Sequence, residues 1–312
     1  MKSHAFLFLI NPEAGKRTSR KLAREINASM TKTDTSHEYE IVMTEKSGHA
    51  CELARSFGQE HGENGIVYAC GGDGTVNETV NGIYGTGAAL GILPIGTAND
   101  FARHILPGLE PEDILPRLPF PELRPIDLIK INEEVICANI TSFGLDSKIQ
   151  KIANTLQRRL HIHSELLLYN LAILFGLVGG REYDLEYDIL TTEIKDGQPV
   201  RVIGSIKMVL AAICNGRYYG GGYNPAPAAS SSDGMLDIVL VDNLPLTRIV
   251  KLLPKYKAGT HVGDPAMHMF SATEGVFRSR GVLLPGNYDG ELFEAAEISF
   301  KVLPAAIRFA HY

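Results

Sequence analysis

The residues best suited to chemistry lie in Ile66-Val67-Tyr68-Ala69-Cys70-Gly71-Gly72-Asp73-Gly74-Thr75-Val76-Asn77-Glu78, where an uncharged run breaks on glycines. Val76, Val80, Ile83 and Tyr84 then follow at helical spacing. Glycine permits positive φ and close backbone approach, and a helix start offers free N–H groups and the positive end of the dipole. Such a corner cradles a phosphate, and Asp73 adds a carboxylate beside it. The plainer reading is an ordinary strand–turn–helix corner with Asp73 solvated. Asp289-Gly290-Glu291 follows a Gly286-Asn287 turn and reads, from spacing alone, as a hairpin turn.

Three further corners share the pattern of the first. Ala5–Ile10 runs into Asn11-Pro12-Glu13-Ala14-Gly15-Lys16, and Tyr39–Met43 into Thr44. Ala88–Leu93 runs into Pro94-Ile95-Gly96-Thr97-Ala98-Asn99-Asp100-Phe101-Ala102-Arg103. Helices are expected after Gly15 (apolar at Leu22, Ala23, Ile26 and Met30) and from about Ser47 to Phe57. Alternating strands and helices predict right-handed βαβ units around a parallel sheet, with ligands beyond the carboxyl ends of its strands. All four corners lie at that edge. Thr44 and Asn99 read equally well as helix caps.

Six prolines between 107 and 125 exclude a long regular element, which puts the domain boundary near Pro125. Hairpins are then expected over Ile126–Ile140 and over Tyr183–Cys214 about Lys195-Asp196-Gly197, with further strands at Met235–Val241, Gly275–Leu284 and Glu297–Phe309. The expected architecture is an α/β domain with a parallel sheet (1–125) and a mostly antiparallel β-sandwich domain (126–312), the last residues free to return to the first. Helical stretches are expected at about Lys148–Gly176 and Leu246–Lys257.

The 312 residues suit two domains, and a net charge of −6 argues against nucleic acid as a partner. The four scattered cysteines fit a reducing cytoplasm, with Cys70 and Cys137 expected as buried thiols. The N-terminus carries no expected signal peptide, and the apolar stretch Leu166–Gly179, broken by Asn170, is too short to span a bilayer.

Taken together, Asn11-Pro12-x-Ala14-Gly15, Gly71-Gly72-Asp73-Gly74-Thr75, Gly96-Thr97-Ala98-Asn99-Asp100-Phe101-Ala102, the glycines 220–222, Asp233-Gly234-x-Leu236-Asp237 and Asp289-Gly290-Glu291 resemble the diacylglycerol kinase catalytic-domain family. The likeness is to its bacterial lipid kinase branch and covers essentially the whole chain. The Gly-Gly-Asp-Gly-Thr block alone is shared with the wider superfamily that includes NAD kinase. The resemblance implies ATP in the interdomain cleft. Gly71, Gly72, Asp73, Gly74, Thr75, Val76 and Asn77 would wrap its phosphates, Thr44 and Thr97 would contact it, and Asn11 would border the site. It implies Asp289 as the general base that takes the proton of a lipid hydroxyl. Leu292 stands where the motif usually continues with proline, which leaves the local turn less certain. Asp73, the second carboxylate, would hold the Mg²⁺ that travels with ATP or hydrogen-bond within the base network.

A separate structural Mg²⁺ site is implied at Asp233, with backbone carbonyls of Ser230 and Met235; the alternative is an Asp-Gly turn with no ion. Lipid entry is expected along Lys148–Gly176. There Lys148, Lys151, Arg158, Arg159, His161 and His163 precede Leu166–Leu168, Leu171, Ile173, Leu174 and Phe175, a basic flank and apolar run suited to a membrane surface or to a buried core helix. The expectation is a cytoplasmic, membrane-associating, Mg²⁺-dependent lipid kinase with diacylglycerol as the default acceptor, and a homodimer is compatible with the resemblance. A kinase of NAD or another small molecule, and a nucleotide-binding regulator without turnover, are the competing readings.

Overall fold

A computed structural model describes residues 4–15, 18–32, 37–160, 176 and 182–312. Lys16, His161, His163 and the apolar run 166–175 lie outside the described residues.

The first lobe grows from four uniformly apolar or half-apolar strands. β1 (Ala5–Ile10), β3 (Gly65–Gly71) and β4 (Ala89–Pro94) are buried along their whole length. Runs without polar alternation need cover on both faces, and so they form the centre of a parallel sheet. β2 (Glu38–Met43), with Glu38 and Glu40 pointing out, takes the edge. The order β2-β1-β3-β4 is in register throughout, Ala5 opposite both Glu38 and Gly65. α1 (Ser19–Thr31) buries Leu22, Ile26 and Met30, and α2 (His49–His61) buries Ala50, Ala54 and Phe57. α3 (Asp73–Ile83) and α4 (Asp100–Ile105) follow β3 and β4, and the proline-rich connection holds only the short α5 (Pro111–Ile114).

The second lobe is antiparallel. β5 (Glu122–Ile131) pairs with β6 (Val135–Cys137), and β8 (Tyr183–Lys195) pairs with β9 (Gln198–Cys214) about the Asp196-Gly197 turn. β7 (Ile140–Gly144), β10 (Leu236–Asp242), β11 (Met267–Ser279), β12 (Leu284–Tyr288) and β13 (Glu291–Ala295) complete it. β11 starts at Met267, eight positions before the strand expected from Gly275, because Met267–Ala272 pairs residue by residue with β10, and it stops at Ser279, Leu284 opening β12. One core lies between the sheets around Phe143, Phe277 and Phe300. Another packs α6 (Leu145–Leu160) and α7 (Leu246–Ala258) on the outer face through Ile149, Ile249, Leu252 and Tyr256.

The lobes share hydrogen-bonded strands. β14 (Glu297–His311) pairs with β11 at one end, with β4 at the other through Arg308 and Phe309, and with β5 along its length. Tyr312, just past it, meets the hydroxyl of Tyr68 at 2.5 Å inside the first lobe. The three cysteines 70, 137 and 214 are buried thiols.

Candidate active site

The four corners do converge. Asn11 N–H donates to Cys70 O at 3.0 Å, Thr44 N–H to Ile10 O at 2.9 Å, and Gly96 N–H to Gly71 O at 3.2 Å. Gly96 and Gly72 touch backbone to backbone, since a Cβ on Gly96 would collide with the Gly72 Cα. A recess of about 400 Å³ opens above them, lined by Asn11, Thr44, Gly72, Gly74, Thr75 and Thr97 together with Lys46 and Glu78. The first N–H groups of α3, which have no partner within the helix, start at Asp73. Among the predicted nucleotide-contacting residues, Gly71, Asp73, Val76 and Asn77 stay out of the recess, Asp73 and Val76 lining the cleft between the lobes instead. The space a Gly71 side chain would need is filled by Thr75, and Asn77 accepts the Asn81 amide at 2.8 Å.

Asp73 is turned the other way, into the cleft between the lobes. Its two carboxylate oxygens accept the N–H groups of Phe101 at 3.1 Å and Asp100 at 3.2 Å. It therefore caps α4 from a neighbouring corner through two charge-assisted bonds, together on the scale of a helix cap, about 1–2 kcal/mol. Asn99 occupies the N-cap position with φ 50°, but its amide donates to Pro94 O and Gly96 O, at 3.2 and 2.9 Å. Thr44 does not cap α2: Gly48 stands at its N-cap, and its first turn is capped by Glu78, which accepts Gly48 N–H at 2.8 Å and Ala50 N–H at 3.1 Å. Sequence reading gave Glu78 no role, because its partners lie on another helix.

Asp289 reaches the same cleft from the second lobe. Asp289 and Gly290, both at positive φ (46° and 100°), form the two-residue turn joining β12 to β13. The hairpin reading of Asp289-Gly290 is correct and leaves the carboxylate facing inward, while Gly286 and Asn287, expected as a turn, are paired inside β12. The Leu292 departure does not disturb the turn. The side chain accepts three backbone N–H groups where β6 leads to β7: Ala138 at 2.6 Å, Asn139 at 3.1 Å and Ile140 at 3.2 Å. Burial of the carboxyl raises its pKa to about 6, and these donors, with the Cys137 thiol, pull the other way. Such a group is ionised at neutral pH yet basic enough to accept a proton.

The cleft, about 540 Å³, is lined from the first lobe by Asp73, Thr97, Asp100 and Arg103, and from the second by Asp146, Asp289 and Lys257. Thr97 lines both cleft and recess. Asp100 and Asp146 are also pushed up to about 6, each mainly by burial; Asp73 adds its charge against Asp100, while the Ser142 and Tyr219 hydroxyls favour ionised Asp146. The glycine run closes the cleft: Gly221 N–H donates to Asp100 Oδ2 at 2.8 Å, and a side chain on Gly222 would strike Arg103. Neither Asp100 nor Asp146 was singled out from sequence, since their partners are distant along the chain.

The loop expected to hold a structural metal is fastened by protein groups. Asp127, 3% exposed, donates its own N–H to Ser231 O at 2.7 Å and accepts Gly234 N–H at 2.7 Å and Ala305 N–H at 2.8 Å. Asp233 Oδ1 accepts Met235 N–H at 3.1 Å, the turn of the alternative reading. The groups that the resemblance assigns to the ion, the Asp233 carboxylate and the carbonyls of Ser230 and Met235, are all oxygen donors, the type Mg²⁺ takes. Among the described residues no group of three or more His, Cys, Asp or Glu gathers closely enough to cage a metal.

Comparison with known proteins identifies this arrangement. Residues 5–131 match the diacylglycerol kinase catalytic domain, and residues 139–311 match the YegS C-terminal NAD kinase beta sandwich-like domain. The chain belongs to the bacterial YegS-like lipid kinase branch of the diacylglycerol kinase family. A probable lipid kinase YegS-like from Chromohalobacter salexigens is 31% identical, over 89% of this chain and 85% of its own. A Bacillus subtilis diacylglycerol kinase is 27% identical over 91% of this chain and 90% of its own. In fold, a crystal structure of a diacylglycerol kinase from Bacillus anthracis covers 100% of this chain and 98% of its own, with a TM-score of 0.72 at 18% identity. Kinase membership implies ATP as phosphoryl donor.

Proposed function

We propose that the protein transfers the γ-phosphoryl group of ATP to a lipid hydroxyl, diacylglycerol becoming phosphatidic acid. The observation that carries this is the meeting of Asp289 with Asp73 and Thr97 in one cleft. The recess at the strand ends takes the nucleotide: Thr44, Thr75 and Thr97 offer hydroxyls, and the start of α3 faces the phosphates. Thr97, common to recess and cleft, marks where the terminal phosphate meets the acceptor. Asp289 accepts the hydroxyl proton as the oxygen attacks phosphorus; the bond to the β-phosphate oxygen breaks and ADP leaves.

Four carboxyls (Asp73, Asp100, Asp146, Asp289) against Arg103 and Lys257 make the cleft unfavourable for a bare polyphosphate. A Mg²⁺ carried on the phosphates would relieve that repulsion, and Asp73, which faces the cleft, is the carboxylate that would hold it. Beyond Asp146, Tyr219 and Tyr223, which line both spaces, an apolar recess runs between α6 and α7 past Ile149, Val209, Leu252 and Leu253. Its apolar lining suits the first carbons of an acyl chain, the space itself being about 80 Å³. The access route expected along 148–176 lies largely outside the described residues.

Incubation with labelled ATP, Mg²⁺ and a panel of lipids tests the reading. The expected product is phosphatidic acid from diacylglycerol, with Asp289→Asn slower by at least about 10²-fold. Phosphorylation of NAD or another soluble acceptor but of no lipid would overturn it, as would ATP binding without any product.

A further inference from the structure

We infer that α7 is the element by which this protein docks on an anionic bilayer; the assignment rests on the lipid-acceptor reading and adds the docking face. α7 (Leu246-Thr247-Arg248-Ile249-Val250-Lys251-Leu252-Leu253-Pro254-Lys255-Tyr256-Lys257-Ala258) carries four cations and no acid, in a chain of net charge −6. Its inner face buries Ile249, Leu252 and Tyr256. The adjoining stripe Leu246, Val250 and Leu253, at i, i+4 and i+7, is left over: Leu246 is 42% and Val250 54% exposed, and Val262 just past the helix is 59% exposed.

Scattered exposed apolar side chains are ordinary. These are set apart by continuity and charge. Leu253 belongs both to the stripe and to the lining of the apolar recess, and Lys257, on the same side, lines the catalytic cleft. The other flank presents Arg248, Lys251 and Lys255; Arg248 is held by Asp264 at 2.6 Å, while Lys251 and Lys255 are exposed. The stripe, with Lys257 in it, and the basic flank border one exposed face of α7, joined across Thr247, Pro254 and Ala258. A face with apolar and cationic borders matches a bilayer bearing anionic headgroups. A membrane seated there delivers its lipid to the recess that ends at Asp146. Among the described residues no helix is long and apolar enough to cross a bilayer, so contact through them is superficial.

Sedimentation of the full chain with vesicles of phosphatidylcholine, alone or equimolar with phosphatidylglycerol, tests the assignment. The wild type should bind the anionic vesicles, and Leu246→Ser with Val250→Ser should weaken that binding by at least about tenfold. Lys251→Gln and Lys255→Gln should each cost roughly fivefold at low salt. All variants should phosphorylate a monomeric short-chain diacylglycerol at the wild-type rate. Failure of the wild type to bind, or unchanged binding in both sets of variants, overturns the docking face. Weakened binding in the variants of a wild type that phosphorylates no lipid, in vesicles or as monomer, supports the docking face and sinks the kinase reading.

Discussion

Asp73 and Phe101 are joined by a hydrogen bond of 3.1 Å, from the backbone of one glycine-rich corner to the carboxylate of another. The two sequence motifs are thus one unit. Asp73→Ala should uncap α4 and lower Tm by several degrees, on the scale of losing a helix cap, about 1–2 kcal/mol. Thermal unfolding of the variant without nucleotide checks this; an unchanged Tm would confine Asp73 to chemistry.

Asp289, raised to about 6, must be ionised to take a proton. The rate constant kcat/KM on monomeric lipid should therefore rise with pH through about 6 and level off above it. Asp100 and Asp146 titrate in the same range, so the limb belongs to the cleft as a whole. Its persistence in Asp146→Asn would assign it to the remaining pair.

Asp146 itself allows a test of stability. Its folded pKa lies above the unfolded value of 3.8, so whatever it contributes is present below that value and lost as pH rises through about 6. Asn imitates the protonated form. Asp146→Asn should melt about 2–4 °C above the wild type at pH 8, and the gap should close towards pH 4. A gap independent of pH would refute the burial of charge there.

Gly96 is required by its contact with Gly72. Gly96→Ala forces two backbones apart, at about 1–3 kcal/mol, and lifts the floor of the recess. Calorimetry should show a lower Tm together with weaker ATP binding.

The loop at 230–235 separates two means of fastening. If Asp127 is sufficient, EDTA leaves the Tm of the wild type unchanged and Asp127→Ala lowers it sharply, with Gly234 and Ala305 N–H groups stranded at about 1–3 kcal/mol each. An ion held by Asp233 would instead make Tm fall with EDTA in the wild type and not in Asp233→Ala.

The parallel sheet was readable because Ala5–Ile10, Gly65–Gly71 and Ala89–Pro94 are unbroken apolar runs. The Asp-Gly hairpin at 289 was readable for the same kind of reason, since turn chemistry is local. What stayed hidden was capping from afar. Glu78 serves a helix whose first turn lies 30 positions earlier at Gly48, and Asp100 meets Gly221 across 121 positions. Local patterns carry no record of such partners. Asp127 escaped notice likewise, a single carboxylate in a strand whose partners lie 107 and 178 residues away.

One strand bears on how the molecule is made. The outer edge of β4 stays bare until Arg308 and Phe309 have been synthesised, although every other strand of that parallel sheet is complete by Pro94. A fragment ending at residue 131 therefore keeps an open edge of unpaired amides, the template on which chains stack into aggregates. Cutting this protein between its lobes leaves no self-sufficient first half; coexpression with residues 132–312 is what should restore it to solution.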